Sequence, residues 1–187
     1  MTTQHRKTAI LEAAARIVSR AGASHLTISA VAVEAGMSKG GVLYHFSSKR
    51  ELLEGMLNVL IDDRLSRAER HRLDIRGQNN VEIRSLILAE LVQNETTRTM
   101  SQAVLAASAE NPNLLDPARE LLATVFERVS SDSTDGDFGR ALLLALEGLR
   151  FLELLDLSPF SSVERKRLYE YLLELAADAD TGRISPK

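Results

Sequence analysis

LTISAVAVEAGMSKGGVLYHFSSK, from Leu26 to Lys49, reads as two short helices joined by a tight glycine turn. Thr27 is placed to cap the first helix, with Leu26 just before it packing on Val31 as a hydrophobic staple. Ile28, Val31 and Ala32 line one face, and Gly36 supplies the left-handed residue that stops the helix. Ser38 follows after only Met37, and its hydroxyl is placed to cap a second helix from Lys39 to Tyr44. So short a connection sets two helices at a steep angle, which is helix-turn-helix geometry.

Gly40 and Gly41 at the start of the second helix each cost about 1 kcal/mol relative to alanine. Two readings of this costly pair stand side by side. Missing side chains let a helix N-terminus approach the floor of the DNA major groove, or they relieve crowding against a neighbouring helix. The surrounding pattern favours DNA.

The order Thr27, Ala32, Gly36, Ser38, Gly40, Tyr44, Phe46 and Lys49, near the N-terminus and followed by a long helix, closely resembles the TetR family of one-component transcriptional regulators. These motifs fall within residues 5–55. Beyond them the chain resembles the family only in being helical and of suitable length. The resemblance implies an all-α, nine-helix, two-domain architecture. Residues 1–50 form a helix-turn-helix DNA-binding domain, and residues 51–187 a helical domain for effector binding and dimerisation.

Length, composition and charge agree. A chain of 187 residues with 44% hydrophobic content has ample material for a core. The longest apolar run, Ala141 to Leu146, is far too short to span a bilayer, so no membrane association is expected. The N-terminal MTTQHRK lacks the apolar core of a signal peptide and there is no cysteine, which makes the cytoplasm the expected location. The overall charge of −3 conceals an asymmetry. Residues 1–50 hold seven basic residues against two acidic, a net +5, and the remainder holds 16 basic against 24 acidic, a net −8. A basic head on an acidic body is the electrostatic footprint of a DNA reader whose second domain has another task.

Strand signals are almost absent. A first helix from Gln4 to Arg20 carries Ile10, Ala14, Ile17 and Val18 on one face and stops at Gly22. Ser48 with Glu51 makes a capping box for a long fourth helix, Lys49 to Leu73, striped by Leu52, Leu53, Met56, Leu57, Leu60 and Ile61. Asn79 with Glu82 is placed to cap a fifth helix reaching Gln93, and a sixth spans Thr97 to Ala109. Asp116-Pro117 opens a seventh to Val129, after which the polar run Ser130 to Gly136 reads as a flexible loop.

Residues 137–156 are apolar on nearly all sides, and a helix like that needs cover all round. Residues 162–179 add Leu168, Tyr169, Leu172, Leu173, Leu175 and Ala176. A two-helix face that buries itself against its symmetry copy meets the need, so a homodimer through residues 137–179 is expected. The family resemblance implies the same four-helix interface. Two heads at fixed separation select two half-sites, making an inverted repeat in double-stranded DNA the expected target.

By the same resemblance, Thr27 and Lys49 contact phosphates, and Ser38, Lys39, Gly40 and Gly41 sit where the reading helix enters the groove. Lys39 is placed to donate to guanine O6 and N7. Tyr44 and His45 contact phosphate or lie near a thymine methyl, with packing against the fourth helix as an alternative for His45. Val42, Leu43 and Phe46 are expected in the core. Many family members carry a tyrosine where this chain has Leu43, and a one-residue offset turns a helical side chain by about 100°.

The resemblance also implies an unidentified small-molecule effector enclosed by helices four to eight. Met56, Leu60, Met100, Val104, Phe126, Glu147 and Phe151 are the candidate lining. Glu147 either meets the effector or pairs with Arg150 or Arg98, since a charge amid apolar helices seldom goes without a partner. Catalysis is not expected. His5, His25, His45 and His71 are scattered, no metal-ligand spacing or nucleophile elbow is present, and no cofactor is implied. The expected function is a repressor released from its operator by a small molecule. The alternatives are control by a protein partner and nonspecific architectural DNA binding.

Overall fold

The computed structural model describes residues 2–91 and 95–178. Among these residues there are nine α-helices and no strand: α1 Thr3–Ala21, α2 Ile28–Glu34, α3 Lys39–His45, α4 Lys49–Asp74, α5 Val81–Glu90, α6 Glu95–Ser108, α7 Asp116–Asp132, α8 Gly136–Leu154 and α9 Ser162–Asp178. None is long and apolar enough to cross a membrane. Contacts divide the chain into two compact units, Met1–Asp62 with Asn94–Ala118, and Asp63–Gln93 with Arg119–Lys187. The helix α4 runs through the division.

In the first unit α1 is the central element, because its apolar positions recur on more than one face. Ile10, Leu11, Ala13, Ala14, Ile17 and Val18 are all buried. It packs on α2 and on α6, where buried Ala103 and Ala107 meet a helix rich in alanine, so small side chains let the two approach closely. Val31, Val42, Phe46, Leu52 and Met56 complete this core. Burying a large side chain of this kind contributes about 1.5–3 kcal/mol. Gly55 has a packing reason that the sequence did not announce. A Cβ there would stand 2.9 Å from Phe46 Cε1 and 3.0 Å from Leu11 Cδ2, so α4 crosses tightly over both side chains.

The second unit is built on α5, α8 and α9, which pack on one another around Ile83, Ile87, Leu143, Leu146, Tyr169 and Ala176. Its N-terminal signal differs from the expected one. Asn79 and Glu82 do not form the cap of α5. Asn80 occupies that position in the left-handed region, φ +54°, and sends its side-chain N–H to the carbonyl of Ala176 at 2.8 Å. A long-range hydrogen bond has replaced the local one. Gln93, the expected end of that helix, lies outside the described residues, as does residue 179 of the expected dimer face.

The expected loop Ser130 to Gly136 is also shorter than its polarity suggests. The helix α7 continues through Asp132. Ser131 Oγ satisfies itself by donating to the Glu127 carbonyl at 2.9 Å, and Asp132 Oδ2 accepts the Glu82 backbone N–H at 2.8 Å. Helix α8 then starts on an Asp135 cap that accepts from Asp137 and Phe138 N–H.

Candidate nucleic-acid interface

Both caps in the opening stretch form as the residues dictate. Thr27 Oγ1 accepts the Ala30 N–H at 3.1 Å, and Ser38 Oγ accepts the Gly41 N–H at 3.0 Å. Between them Gly36 takes φ +63°, a conformation that side chains rarely adopt, and Met37 N–H closes the turn on the Ala32 carbonyl at 2.9 Å. Glu34 ties α2 to α1 through Arg16 at 2.8 Å and Arg20 at 3.2 Å. These two guanidiniums, through hydrogen bonds first, hold the Glu34 carboxyl below its ordinary value.

On α3 the burial splits cleanly. Val42 is fully buried and Phe46 just beyond the helix is nearly so, while Lys39, Gly40, Leu43 and Tyr44 face outward. Leu43 is therefore not a core residue: it is 42% exposed. A seven-residue helix resting on one face through Val42 turns the next position about 100° away from that contact. Tyr44 is 82% exposed and meets the half-buried His45 edge to face, with ring centroids 5.0 Å apart. The tyrosine beside Leu43 thus points outward in spite of its offset from the family pattern.

The two glycines separate into different roles. A Cβ on Gly40 would meet nothing within 4 Å, so no internal crowding accounts for it. A Cβ on Gly41 would press on Ser38 Oγ at 3.2 Å, the oxygen that caps the helix. Gly41 protects the cap, and Gly40 leaves the first turn bare toward the outside.

Helix α4 begins with a modified capping box. Ser48 Oγ accepts the Glu51 N–H at 3.2 Å, but the Glu51 carboxylate reaches back to Ser47, accepting its hydroxyl and its backbone N–H, the latter at 2.8 Å. Those bonds hold Glu51 below its ordinary value. Lys49 is half-buried and pairs with Glu110 at 3.3 Å, a partner that nothing in the local sequence announces. Lys39 has no ion-pair partner among the described residues. In chemical terms the exposed face offers hydroxyls, one unpaired ammonium, a phenol and bare backbone.

The residues expected to line an effector cavity fall in both units. Met56, Met100 and Val104 are buried in the first core, with Leu60 packed against it. Phe126 packs against the second core, and Phe151 is half-exposed under the Arg150 guanidinium, 5.7 Å from its ring centroid. Glu147 is buried and paired with Arg64 and, at 3.0 Å, with Arg150. Burial alone would raise its pKa, but the two guanidiniums outweigh that and hold it below the ordinary carboxylate value. Arg64 also lies 3.7 Å from the buried Glu90. The pairing of Glu147 with Arg150 was legible from their spacing, whereas Arg64 stands 83 residues away in sequence and was not.

Comparison with known proteins agrees with this geometry. A family model described as bacterial regulatory proteins, tetR family, matches residues 10–56, and one described as tetracyclin repressor-like, C-terminal domain, matches residues 82–177. The chain is 26% identical over 140 residues to the HTH-type transcriptional regulator BetI of Burkholderia cenocepacia (strain HI2424), covering 75% of this chain and 71% of that protein. Two solved structures share the fold. One is the multidrug binding protein EbrR complexed with imidazole, with TM-score 0.59, 22% identity, and 90% of this chain and 89% of that one covered. The other is NalD, the secondary repressor of the MexAB-OprM multidrug efflux pump in Pseudomonas aeruginosa, with TM-score 0.64, 21% identity, and 92% and 95% covered.

Proposed function

The chain belongs to the tetR family of bacterial regulatory proteins and is a DNA-binding transcriptional regulator, and from that premise we propose that it is a cytoplasmic repressor. It binds an inverted-repeat operator as a homodimer and leaves it when a small molecule binds. Residues 1–50 read DNA, and residues 51–187 dimerise and bind the effector. The observation that carries this reading is the outward face of α3, where Gly40 has open space around it and Lys39 has no ion-pair partner among the described residues. A bare first turn lets backbone N–H groups and the Lys39 ammonium come close to base edges, while Thr27, Tyr44, His45 and Lys49 flank it for phosphate.

Dimerisation is supported by what the second unit leaves uncovered. Leu144 and Phe151 from α8, Leu155 just past its end, and Val163 and Tyr171 from α9 are exposed large apolar side chains at the two helices expected to pair. Their burial against a second copy accounts for a helix that is apolar nearly all round. Repression and release by a small molecule are supported by two relatives of the same fold, NalD, a secondary repressor, and EbrR, a multidrug binding protein complexed with imidazole.

Selection of bound fragments from the source genome tests the reading. An inverted repeat recovered with two copies of the chain per site supports it. Recovery of fragments without a shared sequence favours an architectural DNA protein instead. Light scattering on the eluted protein checks the dimer, and a monomer at micromolar concentration contradicts it.

A further inference from the structure

In the first unit, the exposed large apolar side chains among the described residues are Val33, Leu43 and Tyr44, and all three belong to α2 and α3. A single exposed leucine on a surface needs no explanation, but this one stands on the helix whose outward face is proposed to meet DNA. Leu43 lies four residues after Lys39 and three after Gly40, so the three share one side of α3. Gly40 has open space where a side chain would stand, so nothing at that position covers the Leu43 isobutyl group.

From Ala35 to Arg50 the chain has no acidic residue, so nothing on this stretch repels a phosphate backbone. What an isobutyl group gains there is narrow. It has no donor for a phosphate oxygen or for a base acceptor. The C5-methyl of thymine is the apolar group that a base pair presents in the major groove, and covering it removes apolar surface of both partners from water. Tyr44 is differently equipped, since its hydroxyl is a donor that suits phosphate and its ring is turned edge to face with His45.

From this arrangement we propose that Leu43 is a base-reading residue, packing on the C5-methyl of a thymine in each half-site. Four residues of helix advance about 6 Å, or about two base-pair steps, so that thymine lies within about two base pairs of the guanine expected for Lys39. The proposal rests on the DNA reading above and deepens it. It adds a discrimination that neither the Lys39 ammonium nor a phosphate contact supplies.

The test is fluorescence anisotropy on the full chain with the selected operator, in which each thymidine in turn is replaced by deoxyuridine. That change keeps the base pair and removes only the methyl. At one thymine or more, placed symmetrically in the two half-sites, replacement in one half-site is expected to cost about fourfold in affinity. Leu43→Ala and Leu43→Gln each abolish that loss, and Tyr44→Ala keeps it. Both Leu43 variants bind a scrambled duplex as the wild type does, which a misfolded head would not. Indifference to deoxyuridine at every position, persistence of the loss in both Leu43 variants, its disappearance in Tyr44→Ala, or an equal fall in affinity for the scrambled duplex in both Leu43 variants overturns the proposal. A selected operator that is indifferent to the methyl sinks this proposal alone. Recovery of no shared sequence sinks the regulator reading, and the role of Leu43 with it.

Discussion

Lys49 Nζ lies 3.3 Å from Glu110 Oε2, so the cation that opens α4 is held by a carboxylate just beyond the end of α6. Both groups are partly exposed, and such a pair is worth little to stability. Its effect is to give Lys49 a competitor for phosphate. Glu110→Gln is expected to raise affinity for every DNA sequence alike by a few-fold. Lys49→Ala weakens all sequences alike and lowers the slope of log affinity against log salt by about 1. Fluorescence anisotropy across a salt series reads both effects.

Gly40 separates stability from DNA binding. Because its Cβ position is open, Gly40→Ala is expected to raise the stability of the free protein by up to about 1 kcal/mol. The same methyl holds the first turn of α3 away from the groove, so operator affinity falls by about tenfold. Thermal unfolding beside an anisotropy titration shows the two changes in opposite directions.

The cap hydroxyls make a contrasting case. Ser38→Ala and Thr27→Ala each remove the acceptor of one first-turn N–H and cost about 1 kcal/mol of stability. Tyr44→Ala, at an 82% exposed position, changes stability by less than about 0.5 kcal/mol while it weakens DNA binding. Denaturant unfolding of the three variants distinguishes scaffold from contact.

The Glu147 cluster sets the response to acid. Its folded pKa is held below the ordinary value of 4.5 by Arg64 and Arg150 against the opposing effect of burial. A depressed carboxyl contributes stability that is fully present above its unfolded pKa and is lost as pH falls through its folded one. The second unit is therefore expected to lose stability below about pH 4.5, and Glu147→Gln to flatten that dependence. Glu147→Ala, which strips Arg150 and half of Arg64 of a partner, costs about 3 kcal/mol at neutral pH. Unfolding monitored by circular dichroism from neutral to acid pH checks these outcomes.

Signals that act over three or four residues were legible in the sequence. Thr27, Gly36 and Ser38 cap and stop their helices as their side chains dictate, and Asp135 does so without having been anticipated. What escaped depends on partners far along the chain. Asn80 abandons local capping for the Ala176 carbonyl, Gly55 is explained only by Phe46 and Leu11, and Glu147 finds Arg64 on another helix. Leu43 illustrates the limit in a single turn. Apolar character suggested the core, but a helix that rests on Val42 has no second buried face to offer.

The central claim is that the exposed turn of α3 reads base sequence. The most direct measurement is the ratio of affinities for the selected operator and a scrambled duplex of equal length, at physiological salt, for the wild type and for Lys39→Ala. A wild-type ratio of about a thousand or more, falling by about tenfold or more in Lys39→Ala while affinity for the scrambled duplex changes much less, is the expected result. A wild-type ratio near one, or a variant that loses both affinities in equal proportion, contradicts it.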